Sequence, residues 1–533
     1  MQVNFPKLFL ASLGVVASVP LYADNTPSKP NVVLIYADDL GYGDIGCYGA
    51  KNVATPNVDA LLDNGYKFVN AHSVASTSTP SRYALLTGEY PWRKKGTDVA
   101  AGDAAMIVSP KQYTLADVFK SAGYATAAIG KWHLGLGVES GKQNWNEPLP
   151  VGLSDIGFDY SYIMAATADR VPCVFIENGR VANYDASAPI YVSYKENFQG
   201  EPTGRDNPEC LYNLKHSHGH DMSVVNGIGR IGYMKGGGSA LWKDQNIADS
   251  ITSHAIDFIE KNKNAPFFLY FATNDVHVPR FPHERFRGKS GMGLRGDAIA
   301  QFDWCVGEIV SALKKSGLYE NTLIILTSDN GAVTDDGYAD DAETLLNGHN
   351  PVGGLRGGKY SCFEGGTRVP FIVHWPAKIK KQEVRYGLVS QIDFINAMAA
   401  ILNVTLPKDA APDGNQYAAE YWLGTGSPRL YVVEMAANHT LSLRMNDWKY
   451  IEPSNGPAIV PWGPKIETGY NKSPQLYRLF DDSIQTAIPD YSSVPNDPYE
   501  QHNLAEKYPK VVNEMSEMLK VLHEKPINWT IEF

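Results

Sequence analysis

The sequence predicts an α/β protein: a large, mostly parallel central sheet with helices on both faces, then a smaller C-terminal α+β subdomain with a short antiparallel sheet. Three observations carry that expectation. Apolar, β-branched runs alternate with helix-period segments over most of the chain; acid and amide side chains recur at the carboxyl ends of those runs; and from about residue 424 the texture changes to short, closely spaced strand patterns.

Residues 31–36 (NVVLIY) are almost wholly apolar, as a central strand covered on both faces requires, and Asp38 and Asp39 follow directly. Open α/β sheets bind ligands at the carboxyl ends of their strands, so adjacent carboxylates there suit a hard cation. An Asp pair after a strand also serves as a turn or helix cap. Residues 57–63 have helical periodicity and lead through Gly65 into a strand-like run at 66–69. The stretch Ser78-Thr79-Pro80-Ser81-Arg82-Tyr83-Ala84-Leu85-Leu86-Thr87-Gly88 reads as a helix start, because Pro80 fixes φ and a helix-forming run follows. Free N–H groups and the positive end of the helix dipole favour an anion near Ser78, and Arg82 adds a fixed charge with a planar fork of donors.

A second unit follows, with a helix at 114–122, a strand at 125–129 and then Gly130-Lys131-Trp132-His133-Leu134-Gly135. On an extended segment Lys131 and His133 alternate to the same side, and the pair suits an oxyanion. Residues 153–239 are irregular and hold Arg170, Arg205, His216, His218 and His220. The histidine spacing fits no established zinc pattern, so the expectation is an exposed loop, and long loops over a rigid scaffold are where substrate contacts are first sought. A helix at 244–263 precedes the strand 266–271 and then His277. Another at 297–316 precedes the strand 322–326, with Asp329 and Asn330 at its end. Lys359 lies in an Arg-Gly-Gly-Lys run before the strand 371–374. Strands at 429–433, 442–445 and 448–450, a run at 476–481, a loop at 482–494 and a helix at 508–524 complete the C-terminal part. The domain reading is therefore 24–423 and 424–533.

At 533 residues the chain can bury a large core, and its apolar and charged contents, 44% and 20%, are ordinary for a globular enzyme. A net charge of −11 argues against a nucleic-acid partner. Residues 1–23, with Lys7 before an apolar run too short to span a bilayer, read as a secretory signal peptide, implying a periplasmic or secreted protein with no membrane anchor. The five cysteines have no CxxC spacing; a disulfide between Cys173 and Cys210 and free buried thiols are both open.

The Ser78–Gly88 motif resembles the signature of the type I sulfatase family, Cys/Ser-x-Pro-Ser-Arg before Leu-Thr-Gly, and the other motifs match that family in order across nearly the whole mature chain. The resemblance implies that Ser78 is oxidised to formylglycine (3-oxoalanine) by a maturation enzyme of the oxygen-independent bacterial kind. The hydrate of that aldehyde is a geminal diol, one hydroxyl attacking sulfur and the other losing its proton to expel sulfate. It also implies one Ca²⁺ held by Asp38, Asp39, Asp329, Asn330 and the converted Ser78. Arg82 and His133 would hold the hydrate, Lys131, Lys359 and His277 would bind sulfate, and His277 or Lys359 would protonate the leaving alcohol. Residues 283–297 resemble the branch containing N-acetylgalactosamine-6-sulfatases and related galactose sulfatases. The implied function is exo-acting removal of sulfate from galactose or N-acetylgalactosamine of mucin or glycosaminoglycan. The alternatives are a phosphomonoester or phosphonate hydrolase of the related alkaline phosphatase superfamily, or a non-catalytic glycan-binding protein with unconverted Ser78.

Overall fold

Ten strands form one sheet. From edge to edge they are Glu383–Arg385, Gly65–Phe68, Phe371–His374, Thr322–Ser328, Asn31–Ala37, Phe267–Ala272, Ala125–Lys131, Tyr160–Met164, Phe175–Glu177 and Arg180–Val181. The structure is a computed structural model and describes residues 29–445, 447–479 and 496–524. The segment 1–23, expected to be a signal peptide, and the loop expected at 482–494 lie outside the described residues.

The five central strands, from Thr322–Ser328 to Tyr160–Met164, are all parallel, and antiparallel strands flank them on both sides. The reason is in the side chains. Asn31–Ala37 is buried at every residue, as are Phe267–Ala272 and Thr322–Ser328, so these runs have no polar face to offer water and need cover on both sides. The helices Leu115–Ser121, Ile247–Lys261, Gly293–Lys315 and Phe394–Leu402 supply much of it, and their inward residues join the strands in one continuous core. Leu115–Ser121 is set by a capping box in which Thr114 and Asp117 each take up the other's backbone N–H.

A separate four-stranded antiparallel sheet, Tyr431–Met435, Leu441–Met445, Trp448–Ile451 and Gln475–Arg478, follows near the C-terminus. The helix Pro509–Glu524 lays Val511, Met515, Leu519 and Leu522 against its core. Among the described residues no helix is long and apolar enough to cross a membrane.

One open alternative closes and two expectations change. All five cysteines are free, so Cys173 and Cys210 are not paired. The segment 153–239 is not simply an exposed loop: His220 is buried and its Nε2 lies 2.9 Å from Asp169 Oδ2, while His216 and His218 are half-buried. His133 does not continue the extended strand, which ends at Lys131; its φ is +59°, so strand alternation does not set its direction.

Candidate active site

Four strand ends and one helix start meet at one place. The helix Ser78–Thr87 begins with Thr77 as its N-cap in extended conformation and Ser78 as its first residue, the position that leaves backbone N–H groups free. The sheet delivers Asp38 and Asp39 after Asn31–Ala37, Lys131 at the end of Ala125–Lys131, His277 five residues after Phe267–Ala272, and Asp329 and Asn330 after Thr322–Ser328. Gly130, at φ +106°, lets the Lys131 strand pass so close to Ala272 that a Cβ would stand 1.8 Å from its carbonyl oxygen.

All of these side chains are buried, and the hydrogen bonds tie them to Ser78 and to one another. Lys131 Nζ donates to Ser78 Oγ at 2.8 Å and to Asp38 Oδ1 at 2.6 Å. Arg82 reaches Asp329 Oδ2 through Nε at 3.1 Å and Nη2 at 2.8 Å. Asn330 turns its Oδ1 toward Ser78 Oγ at 3.5 Å while its Nδ2 donates to Asp39 Oδ1 at 2.7 Å. Lys359 Nζ bridges Asp39 Oδ2 at 2.8 Å and Asp336 Oδ2 at 2.9 Å. Ligand atoms of Asp38, Asp39 and His277 all lie within 4.8 Å of one another.

The charges do not cancel. Counted with every acid and base ionised and both histidines neutral, Asp38, Asp39, Asp329 and Asp336 face Arg82, Lys131 and Lys359 with one formal negative charge in excess. Burial pushes Asp38 well above the usual carboxylate range, with Asp329 and Asp39 adding to the rise and Lys131 opposing it. Burial also lowers Lys131. Asp329 is held low, because the Arg82 and Lys131 charges outweigh its desolvation.

The histidines are set by backbone carbonyls, which can only accept. His133 Nε2 lies 2.9 Å from Ala100 O and must carry the proton, so the buried Nδ1, which has no partner among the described residues, is a lone pair. His277 Nδ1 donates to Val278 O at 2.7 Å, leaving Nε2 unprotonated 3.7 Å from Asp39 Oδ2. Burial, then the Lys359 charge, lowers His277 to about 4.

Every residue that the sequence singled out for the site is in this cluster. Sequence reasoning missed two carboxylates. Asp336 anchors Lys359 and also accepts from Tyr360 at 2.7 Å; Asp169 holds His220 and Arg170. The only signal was position: each acid lies in a loop beside a basic or aromatic partner whose placement requires the fold. A cavity of 780 Å³ opens over Ser78, His133, His277 and Lys359. Its far walls come from the 153–239 segment, through Arg170, Arg205 and His220, and from Trp462. The motif at 283–297 does not line it: Arg295 instead clamps Asp44 at 2.6 and 2.7 Å, and Asp297 ties the backbone N–H groups of Gly288 and Ser290.

A hydroxyl on a helix start, flanked by carboxylates and fixed cations at the carboxyl end of a parallel sheet, defines a hydrolase of oxyanion esters with the alkaline phosphatase-like fold. The family model for sulfatases matches residues 30–404, and the chain belongs to that family: it is a type I sulfatase, a sulfuric ester hydrolase. It is 50% identical over 492 residues to an N-acetylgalactosamine-6-O-sulfatase of Bacteroides thetaiotaomicron, covering 92% of this chain and 93% of that one. Human arylsulfatase A is 32% identical over 411 residues, 75% of this chain and 69% of that one. A solved Bacteroides thetaiotaomicron structure, titled for the metabolism of multiple glycosaminoglycans, superposes with TM-score 0.88 at 49% identity, covering 93% of this chain and all of that one.

Proposed function

We propose that the protein is an exo-acting carbohydrate sulfatase that removes sulfate from the 6-position of N-acetylgalactosamine or galactose in mucin or glycosaminoglycan chains. The observation that carries this reading is the ring of buried charge around Ser78, opening onto a cavity of 780 Å³ whose size suits a sugar. The identity to an N-acetylgalactosamine-6-O-sulfatase supports the choice of sugar and position.

The donor set fits calcium. Asp38, Asp39, Asp329, Asn330 and the Ser78 side chain offer oxygens only, which a hard cation prefers and zinc does not. A divalent ion would also turn the excess negative charge positive, as a site for a sulfate ester anion requires. When bound, it would supply electrostatic stabilisation of charge building on the transferred group, and formylglycine at position 78 would supply the geminal diol that attacks.

This chain's own residues do the rest. Arg82 fixes Asp329, and Lys131 holds the oxygen of residue 78 at hydrogen-bond distance. His133 presents an unprotonated Nδ1 and is the acceptor for the hydroxyl proton of residue 78. Lys131 and Lys359 bind sulfate oxygens; His277 Nε2, a lone pair before substrate binds, joins them and can protonate the leaving alcohol only after it has taken up a proton as the substrate anion enters, and Lys359 is the donor already charged. Asp336 keeps the Lys359 ammonium charged and aimed; burial works against that charge, and Asp336 with Asp39 overcomes it. We further propose that residues 24–423 form the catalytic domain and 424–533 the C-terminal subdomain, that residues 1–23 direct export, and that a host enzyme oxidises Ser78.

A phosphatase reading needs a second metal set rich in acids and histidine. The other such group among the described residues, His72, Glu364 and Glu434, already has Lys449 between its carboxylates at 3.1 and 3.2 Å. The test is hydrolysis of the sulfate and phosphate esters of one aryl alcohol, then of defined 4- and 6-sulfated N-acetylgalactosamine and galactose. Sulfate release favouring the 6-position is expected; preferred phosphate release contradicts the reading.

A further inference from the structure

Trp462 is an anomaly on physical grounds. It is 43% exposed although it is the largest apolar side chain a protein can hold, and it stands on the wall of the cavity that contains Ser78. Its place is fixed from two sides. Its ring meets Tyr360 edge-on, centroids 5.3 Å apart at 79°. The next residue, Gly463, lies so tightly on His218 that a Cβ would come within 2.0 Å of the imidazole. Tyr360 is itself held through its hydroxyl by Asp336, the carboxylate that anchors Lys359. An exposed indole on the cavity wall is thus tied through Tyr360 and Asp336 to the cation beside Asp39, and close to half of its surface is left uncovered.

We propose that Trp462 is a specificity-determining platform: its open face stacks on the pyranose linked to the sulfated sugar, so that the enzyme reads two sugar units rather than one. The inference rests on the carbohydrate-sulfatase reading above and deepens it. The uncovered face of an indole is broad, rigid and apolar, and it pairs with the C–H face of a pyranose at little entropic cost because only two χ angles have to be held. The cavity is large for one ring: 780 Å³ lies in the upper part of the roughly 300–1,000 Å³ range of small-molecule sites. Two polar pairs that line the cavity are already committed, Arg205 with Asp221 at 2.7 Å and His220 with Asp169 at 2.9 Å, which leaves the indole and the neighbouring His218, whose buried Nε2 has no partner among the described residues, to meet a ligand.

The test compares Trp462→Ala and Trp462→Phe with wild type, each with converted Ser78, on three substrates: an aryl sulfate, N-acetylgalactosamine 6-sulfate, and a disaccharide ending in that sugar. For Trp462→Ala the KM for the disaccharide is expected to rise about tenfold with kcat within about twofold, and both constants for the two smaller substrates to stay put. Trp462→Phe should restore most of the disaccharide KM. Equal KM changes on all three substrates, or none on any, would overturn the platform. Calorimetric binding of the disaccharide to Ser78→Ala and to Ser78→Ala/Trp462→Ala separates this from the parent reading. A tenfold weaker affinity in the double variant supports the platform even if no sulfate is ever released, and equal affinities reject it even in an active sulfatase.

Discussion

The molecule buries two dense clusters of charge, and they are built on opposite terms. Around Ser78, four carboxylates meet three cations and the cluster opens onto a cavity. Where the main body meets the C-terminal sheet, Glu364, Glu434 and Glu500 meet Arg368, Arg444 and Lys449, all close-packed: Lys449 lies 3.1 Å from Glu364, 3.2 Å from Glu434 and 3.6 Å from Glu500, and Arg368 2.6 Å from Glu364. His72 and Thr367 complete the Glu434 shell at 2.7 and 2.6 Å. The second cluster gives each carboxylate a cation within 3.6 Å and joins two sheets. The first does not balance and leaves its remainder for an ion and a substrate. Buried charge that is fully paired holds a fold together, and buried charge left unpaired is a site waiting for a ligand.

The contrast is broken most forcefully at position 78. Ser78→Ala should lower turnover by more than about 10⁴-fold, as loss of a covalent nucleophile does, while thermal unfolding of the chain stays within a degree of wild type. Unchanged turnover would remove the nucleophile assignment. Lys449→Met should do the reverse. It strands Glu434 and Glu364 without their shared cation and should destabilise the protein by about 3–5 kcal/mol in denaturant unfolding, with kcat of the surviving folded fraction intact. A variant as stable as wild type would show that the joint carries no weight.

Calcium sharpens the same contrast. Chelation should lower stability by about 2–3 kcal/mol relative to protein kept at a hundredfold excess over its dissociation constant. Asp38→Asn should lose most of that response and Lys449→Met should keep it. An equal calcium response in wild type and Asp38→Asn would place the ion elsewhere.

The last effect is one of pH. Burial, with Glu364 adding to it against Lys449, pushes Glu500 up to about 7 from a usual value near 4.5. The folded state therefore holds this proton through a window in which the unfolded chain has released it, and stability falls as pH rises from about 4.5 to 7. Glu500→Gln removes that slope. It should match wild type near pH 4.5 and be more stable by about 3 kcal/mol at pH 8, measured by urea unfolding. A variant less stable than wild type at pH 8 would mean that the folded state favours the carboxylate rather than penalising it.

Much of this was legible in the sequence because strong local rules were at work. Uninterrupted apolar runs announce strands covered on both sides, Pro80 announces a helix start, and acids at strand ends announce the ligand edge of a parallel sheet. The residues that cluster around Ser78 were legible because the family's motifs occur in order along the chain. The rest depends on contacts between segments far apart in the chain. Asp336 gains its meaning only beside Lys359, and Asp169 only beside His220, a partner 51 positions away. The left-handed turn that aims His133 cannot be read from alternation, since it breaks the strand period. The cluster between the two sheets was missed for the same reason: Glu434 and Lys449 look like ordinary strand residues until the sheet folds them against Glu364.

The most direct test of the central claim combines mass spectrometry of the peptide holding residue 78 with a measurement of inorganic sulfate from N-acetylgalactosamine 6-sulfate on the same preparation. A peptide lighter by two hydrogens, together with calcium-dependent sulfate release, is the predicted result. A fully converted peptide in a calcium-loaded protein that frees no sulfate from this sugar, or from any sulfated galactose, would contradict it.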